Sequence, residues 1–93
     1  MNRMDGKIAF ISGSARGLGA AAAKMMSECG AKVVIADLLD DAGQATAAEI
    51  NGNGGSAIYT HLDVTDPASW AAAVKAGVDK FGGLDVLVNN AGI

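Results

Sequence analysis

A chain of 93 residues, 51% of them hydrophobic and only one a cysteine, describes one soluble globular domain at most, burying about two thirds of its unfolded surface. Seven basic residues against ten acidic, a net charge of −3, leave no Lys/Arg cluster suited to a duplex or a membrane surface, so neither nucleic acid nor membrane is an expected partner. No apolar run approaches the roughly 18–20 residues of a bilayer span, residues 1–6 lack the layout of an export signal, and the lone Cys29 excludes an intrachain disulfide, so a cytoplasmic setting is expected.

In chain order, residues 7–12 (KIAFIS) are a short, continuous apolar run ending at Gly13, which predicts a strand buried on both faces. The period turns helical over residues 17–29, with Leu18, Ala22, Met25 and Cys29 on one stripe, Lys24, Ser27 and Glu28 opposite, and Gly30 as the stop. A second buried strand is predicted at 32–37 (KVVIAD), then a helix capped by Asp40 or Asp41 and running to about Ile50. Residues 51–55 (NGNGG) read as a loop and 57–61 as a third, weaker strand. Asp66 followed by Pro67 predicts an N-cap with proline in the first turn, opening a helix whose Trp70, Val74, Val78 and Phe81 share a face until Gly82 and Gly83 end it. A fourth strand follows at 84–89 (LDVLVN).

Strictly alternating strands and helices predict an α/β fold, a Rossmann-type doubly wound parallel sheet of order 3-2-1-4, because parallel neighbours need right-handed crossovers. Connections leave strands one and four in opposite directions, so a ligand crevice is expected at their carboxyl ends.

The turn after the first strand, SGSARGLG at 12–19, carries glycines at 13, 17 and 19 and leads directly into a helix. First-turn amides lack intrahelical acceptors and sit at the positive end of the helix dipole, so bare backbone there can hold a pyrophosphate. Gly13 suits the sharp turn, Gly17 the approach of phosphate oxygens, and Gly19 with Ala22 close packing of helix on sheet. Asp37 ends the second strand 24 residues after Gly13, near the spacing at which a carboxylate reaches an adenosine ribose. That carboxylate would repel a phosphate on the same sugar by about 3 kcal/mol at roughly 5 Å. Arg16 pulls the other way, but Leu38 beside Asp37 adds no cation, so NAD is favoured over NADP. A P-loop is excluded because alanines, not Lys-Ser/Thr, follow Gly19. A methyltransferase remains as an alternative, although its glycines are usually closer together and often follow an acid, where Ser12 stands here.

With these motifs the sequence resembles the short-chain dehydrogenase/reductase family over nearly its whole length. Gly13, Gly17 and Gly19 match its wide glycine spacing, DVT at 63–65 looks like its adenine pocket, and LDVLVNNAG at 84–92 looks like its fourth-strand signature. The resemblance implies that Arg16 and Leu18 line the pyrophosphate and that Asp37 with Leu38 holds the ribose. It further implies that Asp63 and the Val64 amide meet the adenine, and that Asn90, Ala91 and Gly92 pass the nicotinamide side. Ser12 replaces the family's usual threonine and keeps the hydroxyl. The ARGLG loop and the VVIADLLD block further resemble the hydroxysteroid dehydrogenase branch.

The resemblance also implies a catalytic serine and a Tyr-x-x-x-Lys pair. The single tyrosine, Tyr59, has Asp63 four positions on, so no residue of this chain is assigned a catalytic role. The expectation is therefore the NAD-binding part, residues 1–93, of a longer domain cut after its fourth strand. By resemblance, the parent would be a homo-oligomeric alcohol or ketone oxidoreductase, and this part alone would transfer no hydride. A non-catalytic dinucleotide module and an inert fragment are the competing readings. No metal site is expected: His61 lacks neighbouring ligands, and Asp40, Asp41 and Asp66 read as helix-start carboxylates. Cys29, Met25, Met26, Trp70 and Phe81 read as packing residues.

Overall fold

The computed structural model describes residues 3–90. Its elements are β1 (Ile8–Ser12), α1 (Gly17–Glu28), β2 (Lys32–Asp37), α2 (Asp40–Gly52), β3 (Ser56–His61), α3 (Pro67–Phe81) and β4 (Val86–Asn89). The four strands form one parallel sheet of order β3-β2-β1-β4, the arrangement expected from the alternation of elements. β1 lies inside, with Ile8 opposite Lys32 on one side and Ala9 opposite Val86 on the other.

Successive strand residues face opposite ways, so each apolar run feeds two cores. Ala9, Ile11, Val33 and Ile35 pack with Ala23 of α1 and Ala47 and Ile50 of α2. Phe10, Val34, Ala36 and Leu62 pack with Ala73 of α3, and Trp70, Val74, Phe81 and Leu84 close that second cluster. Helices thus cover both faces, which explains why β1 is buried along its whole length and shows no polar alternation.

The helix faces differ from the apolar stripes in two places. In α1 the buried residues are Gly19, Ala20 and Ala23, with Met26 packed beside them, while Leu18 is 82% and Met25 64% exposed. The side of α1 that docks is the one whose small residues let two backbones approach, and Met25 fills no core gap. In α3 the centre of the docked face is Ala73 and Gly77, which leaves Val78 at its exposed margin.

Element ends shift for local reasons. α2 runs two residues into the expected loop, and Asn51 there bridges to Ala57, donating to its carbonyl at 2.9 Å and accepting from its amide at 2.8 Å. Residues 84 and 85 stand outside β4. The Asp85 carboxylate instead accepts from the Ile8 amide at 2.9 Å, while the Asp85 amide donates to the Ile8 carbonyl at 2.9 Å. Asp66 caps α3 as expected, accepting from the Ala68 amide at 2.9 Å, with Pro67 opening the helix. Among the described residues, no helix is long and apolar enough to cross a membrane.

Candidate functional site

At the carboxyl ends of the strands lies a cleft of about 420 Å³, within the usual range for small-molecule sites. The β1–α1 loop contributes Gly13, Arg16 and Gly17; the end of β2 contributes Ala36, Asp37, Leu38 and Leu39; Leu62 and Val64 follow β3, and Asn90 follows β4. A second cavity of about 430 Å³ lies where α1 and α2 end and is lined by Lys24, Ser27, Glu49 and Asn53, with Lys24 and Glu49 ion-paired at 2.6 Å.

The loop between β1 and α1 is held by hydrogen bonds from several elements. Gly13 and Gly17 both adopt positive φ, at +67° and +64°, which a side chain would strain. A Cβ on Gly19 would overlap the Gly13 carbonyl and come within 2.8 Å of the Asn90 amide nitrogen, so α1 can start this close to β1 only with glycine there. Buried Ser14 donates to the Ile11 carbonyl at 2.6 Å and accepts from the Ala36 amide at 3.1 Å, tying the loop to β1 and β2. Thr46 of α2 donates to the Ala15 carbonyl at 2.6 Å. Asn90 donates from its side chain to the Gly13 carbonyl at 3.1 Å and from its amide to the Ser12 hydroxyl at 3.0 Å. The first helical bond of α1 runs from the Ala20 amide to the Arg16 carbonyl, so the amides of Gly17, Leu18 and Gly19 precede any intrahelical acceptor.

Asp37, at the end of β2, is tied directly to this loop. One carboxylate oxygen accepts from the Ala15 amide at 3.0 Å and the other from the Leu39 amide at 3.1 Å. Those two donors fix the orientation of the group, and each oxygen keeps a lone pair for a further donor. Arg16 is exposed at the same end and borders an adjoining hollow with Leu38, Leu39, Asp40 and Asp41.

Asp63 lies beyond β3. Its Oδ1 accepts from the Thr65 hydroxyl at 2.6 Å and the Thr65 amide at 3.0 Å, and these bonds hold its carboxyl below the ordinary carboxylate range. Next to it, the Val64 carbonyl accepts from the Trp70 indole at 3.0 Å, fixing the backbone of the segment after β3.

Of the residues singled out from sequence, Gly13, Arg16, Gly17, Asp37, Leu38, Val64 and Asn90 line the cleft together. Leu18 projects from the first turn of α1 and Gly19 packs behind it; neither belongs to the lining, and nor does Asp63. Ala91 and Gly92 lie outside the described residues. Sequence reasoning missed the apolar lining of Ala36, Leu39 and Leu62, whose one signal was adjacency to chosen positions at strand ends. It also assigned Asp40 to helix capping. The α2 start has no side-chain cap; Asp40 instead accepts from the Tyr59 hydroxyl at 2.5 Å and contacts His61 Nδ1 at 2.7 Å, contacts that lower its pKa. Burial, then the Asp40 carboxylate, pushes the Tyr59 pKa up, the opposite of what a proton-exchanging tyrosine needs. Among the described residues, no group of three or more His, Cys, Asp or Glu is placed to hold a metal ion.

Comparison with known proteins bears on the family and the fold. The family model described as short chain dehydrogenase matches residues 7–93. The chain is 54% identical over 98 residues to trans-4-hydroxycyclohexanecarboxylate dehydrogenase of Sinomonas cyclohexanicum, a match covering 99% of this chain and 38% of that protein. It is 56% identical over 91 residues to 3-alpha-(or 20-beta)-hydroxysteroid dehydrogenase of Mycobacterium tuberculosis, covering 98% of this chain and 34% of that one. The crystal structure of a hydroxysteroid dehydrogenase from Escherichia coli superposes with a TM-score of 0.91 at 36% identity, covering 94% of this chain and 37% of that one. The chain thus spans little more than a third of the length of the curated relatives it matches.

Proposed function

The chain belongs to the short-chain dehydrogenase family, and on that premise we propose that residues 1–93 are the dinucleotide-binding part of a larger NAD-dependent oxidoreductase domain. The observation that carries this reading is the pairing of the Asp37 carboxylate, oriented by the Ala15 and Leu39 amides, with an open helix start in the same cleft. First-turn amides of α1 take the pyrophosphate, with Arg16 and Leu18 beside it. Asp37 accepts from the adenosine ribose hydroxyls next to Leu38. Asp63 and the Val64 amide meet the adenine edge, and Asn90, with Ala91 and Gly92, borders the nicotinamide half.

The residues present fit such a group. A Cβ added at Gly17 would meet nothing within 4 Å, so the main chain there is open to a large anion, while Ala36, Leu39 and Leu62 supply apolar lining. The bound dinucleotide would carry the hydride that interconverts an alcohol and a ketone, and the ring alcohols in the relatives' names support a small-molecule substrate of that class. This chain's own residues bind and orient. None is assigned the proton transfer, because the Tyr59 hydroxyl is engaged with Asp37 and Asp40.

NAD is preferred over NADP because Asp37 lines the cleft at the ribose end and Asp40 and Asp41 border the adjoining hollow, while Arg16 is the one cation among those lining residues. A carboxylate at the ribose repels a 2′-phosphate, and salt screens part of that repulsion at this exposed rim. Calorimetric titration of the full-length protein with NAD and NADP tests this. We expect tighter binding of NAD, and Asp37→Ala should weaken NAD by about tenfold or more while narrowing the preference. Equal affinities in the wild type, or an unaltered preference in the variant, would remove the ribose assignment.

A further inference from the structure

Tyr59 and His61 are two residues apart on β3 and so project to the same side of the sheet, where α2 begins. The Tyr59 hydroxyl lies 2.6 Å from the Asp37 main-chain carbonyl and 2.5 Å from Asp40 Oδ1. It has one proton to share between a carbonyl at the end of β2 and a carboxylate in the first turn of α2. His61 Nδ1 holds the same Asp40 oxygen at 2.7 Å. The ring itself lies against Gly43, where an added Cβ would overlap it, so α2 can close onto β3 here only because residue 43 has no side chain. The hydroxyl thus meets both ends of the 37–40 turn, while the ring seats it against α2. That turn carries the Asp37 carboxylate and the Leu39 amide that orients it.

We infer that Tyr59, with Asp40, is a positioning residue for ribose recognition: it fixes the Asp37–Asp40 turn from β3 so that the Asp37 carboxylate stands ready for the two hydroxyls. This rests on the dinucleotide-binding reading above and deepens it. Tyr59 touches no cofactor atom in this role. It acts through the Asp37 backbone, which gives cofactor selection a determinant outside the glycine loop and the acidic residue at the end of β2. A freely moving turn would still present a carboxylate, but would spend binding free energy on ordering it.

The test compares NAD with its analogue lacking the adenosine 2′-hydroxyl, using the full-length protein and calorimetry. Wild type should bind the analogue at least about tenfold more weakly, the loss of a charge-assisted hydrogen bond. In Tyr59→Phe that discrimination should shrink about three- to tenfold, with weaker NAD binding and the analogue changed much less. A purely structural role would instead lower the fraction of competent protein, seen as reduced stoichiometry, and leave the ratio of dissociation constants unchanged; that result overturns the inference. If Tyr59→Phe does not fold, Asp40→Ala, whose side chain is 55% exposed, loosens the same turn from its other end and must narrow the ratio too. Wild type that binds neither compound overturns the dinucleotide reading itself and this inference with it. Wild type that discriminates while both variants discriminate equally well overturns the inference alone.

Discussion

Three helical glycines give a graded test of how closely α1 and α3 approach the sheet. Gly19, Gly77 and Gly52 lie in α1, α3 and α2 respectively, and replacing glycine with alanine in a helix is worth up to about 1 kcal/mol when nothing intervenes. At Gly52 the new Cβ would meet nothing within 4 Å, so Gly52→Ala should stabilise by about 0.5 kcal/mol, less than the full value because it is the last residue of α2. At Gly77 the Cβ falls 2.9 Å from a methyl of fully buried Val34, which must yield slightly; gain and overpacking offset, and the net loss should stay under about 1 kcal/mol. At Gly19 the obstacle is the Gly13 main-chain carbonyl, which no rotamer change can move. Overpacking at the upper end of the usual range of about 1–3 kcal/mol then exceeds the helical gain, leaving a net loss of about 1–2 kcal/mol. Urea unfolding with unchanged m-values reads all three, and Gly19→Ala alone should also weaken NAD by displacing the loop. Stabilisation by Gly19→Ala comparable with that of Gly52→Ala would mean that α1 does not start against Gly13, and the loop geometry derived above would be wrong.

Ser14 is fully buried with both hydrogen-bonding roles used, so Ser14→Ala leaves the Ile11 carbonyl and the Ala36 amide without that partner and should cost about 1–3 kcal/mol in the same unfolding assay. Stability should also fall at both pH extremes. The Asp40 and Asp63 carboxyls titrate lower folded than unfolded, so their contribution is present above the unfolded value near 4 and is lost as pH falls through the folded ones. The Tyr59 hydroxyl titrates higher folded than unfolded, so its contribution is full below about 10 and disappears as pH rises toward the folded value. In thermal melts across pH 8–11, Tyr59→Phe should flatten the alkaline decline, and an equally steep decline in the variant would count against the Tyr59 contacts.

Which parts of the structure were legible in the sequence follows from the range of the forces involved. β1 and β2 were readable because burial on both faces leaves unbroken apolar runs, and α3 because Asp66-Pro67 and Gly82 mark its ends by local chemistry. The docked face of α1 was not, because a hydrophobic stripe weighs bulk, and this helix docks through Gly19, Ala20 and Ala23 and leaves Leu18 and Met25 outside. Asp40 was read as a cap because capping is local, whereas its actual partners, Tyr59 and His61, lie 19 and 21 residues away on another strand. The start of β4 was misplaced for the same reason: Asp85 is drawn to Ile8, 77 residues away. In the cleft, the polar and glycine positions carried a chemical signature, while Ala36, Leu39 and Leu62 carried none beyond hydrophobicity.

The residues that chemistry picks out are also those whose backbone the remote contacts immobilise. Ala15 donates to Asp37 and accepts from Thr46, Gly13 accepts from Asn90, and Asp37 accepts at its carbonyl from Tyr59, so β2, α2, β3 and the segment after β4 each hold one point of the same rim. A glycine-rich turn left to itself would sample many conformations and lose binding free energy on ordering. Here that ordering is supplied on folding, by polar groups whose partners lie on other elements. On the proposed reading, affinity should therefore respond to Thr46 and Tyr59, which lie outside the cleft lining, as well as to the residues that form it. Thr46→Val, which keeps the shape but not the donor, should weaken NAD several-fold and also narrow its preference over NADP, because the Ala15 whose carbonyl Thr46 holds donates its amide to the Asp37 carboxylate. Tyr59→Phe should erode the same discrimination through the Asp37 carbonyl, and an unchanged preference in both variants would show that these remote contacts do not set the orientation of the carboxylate.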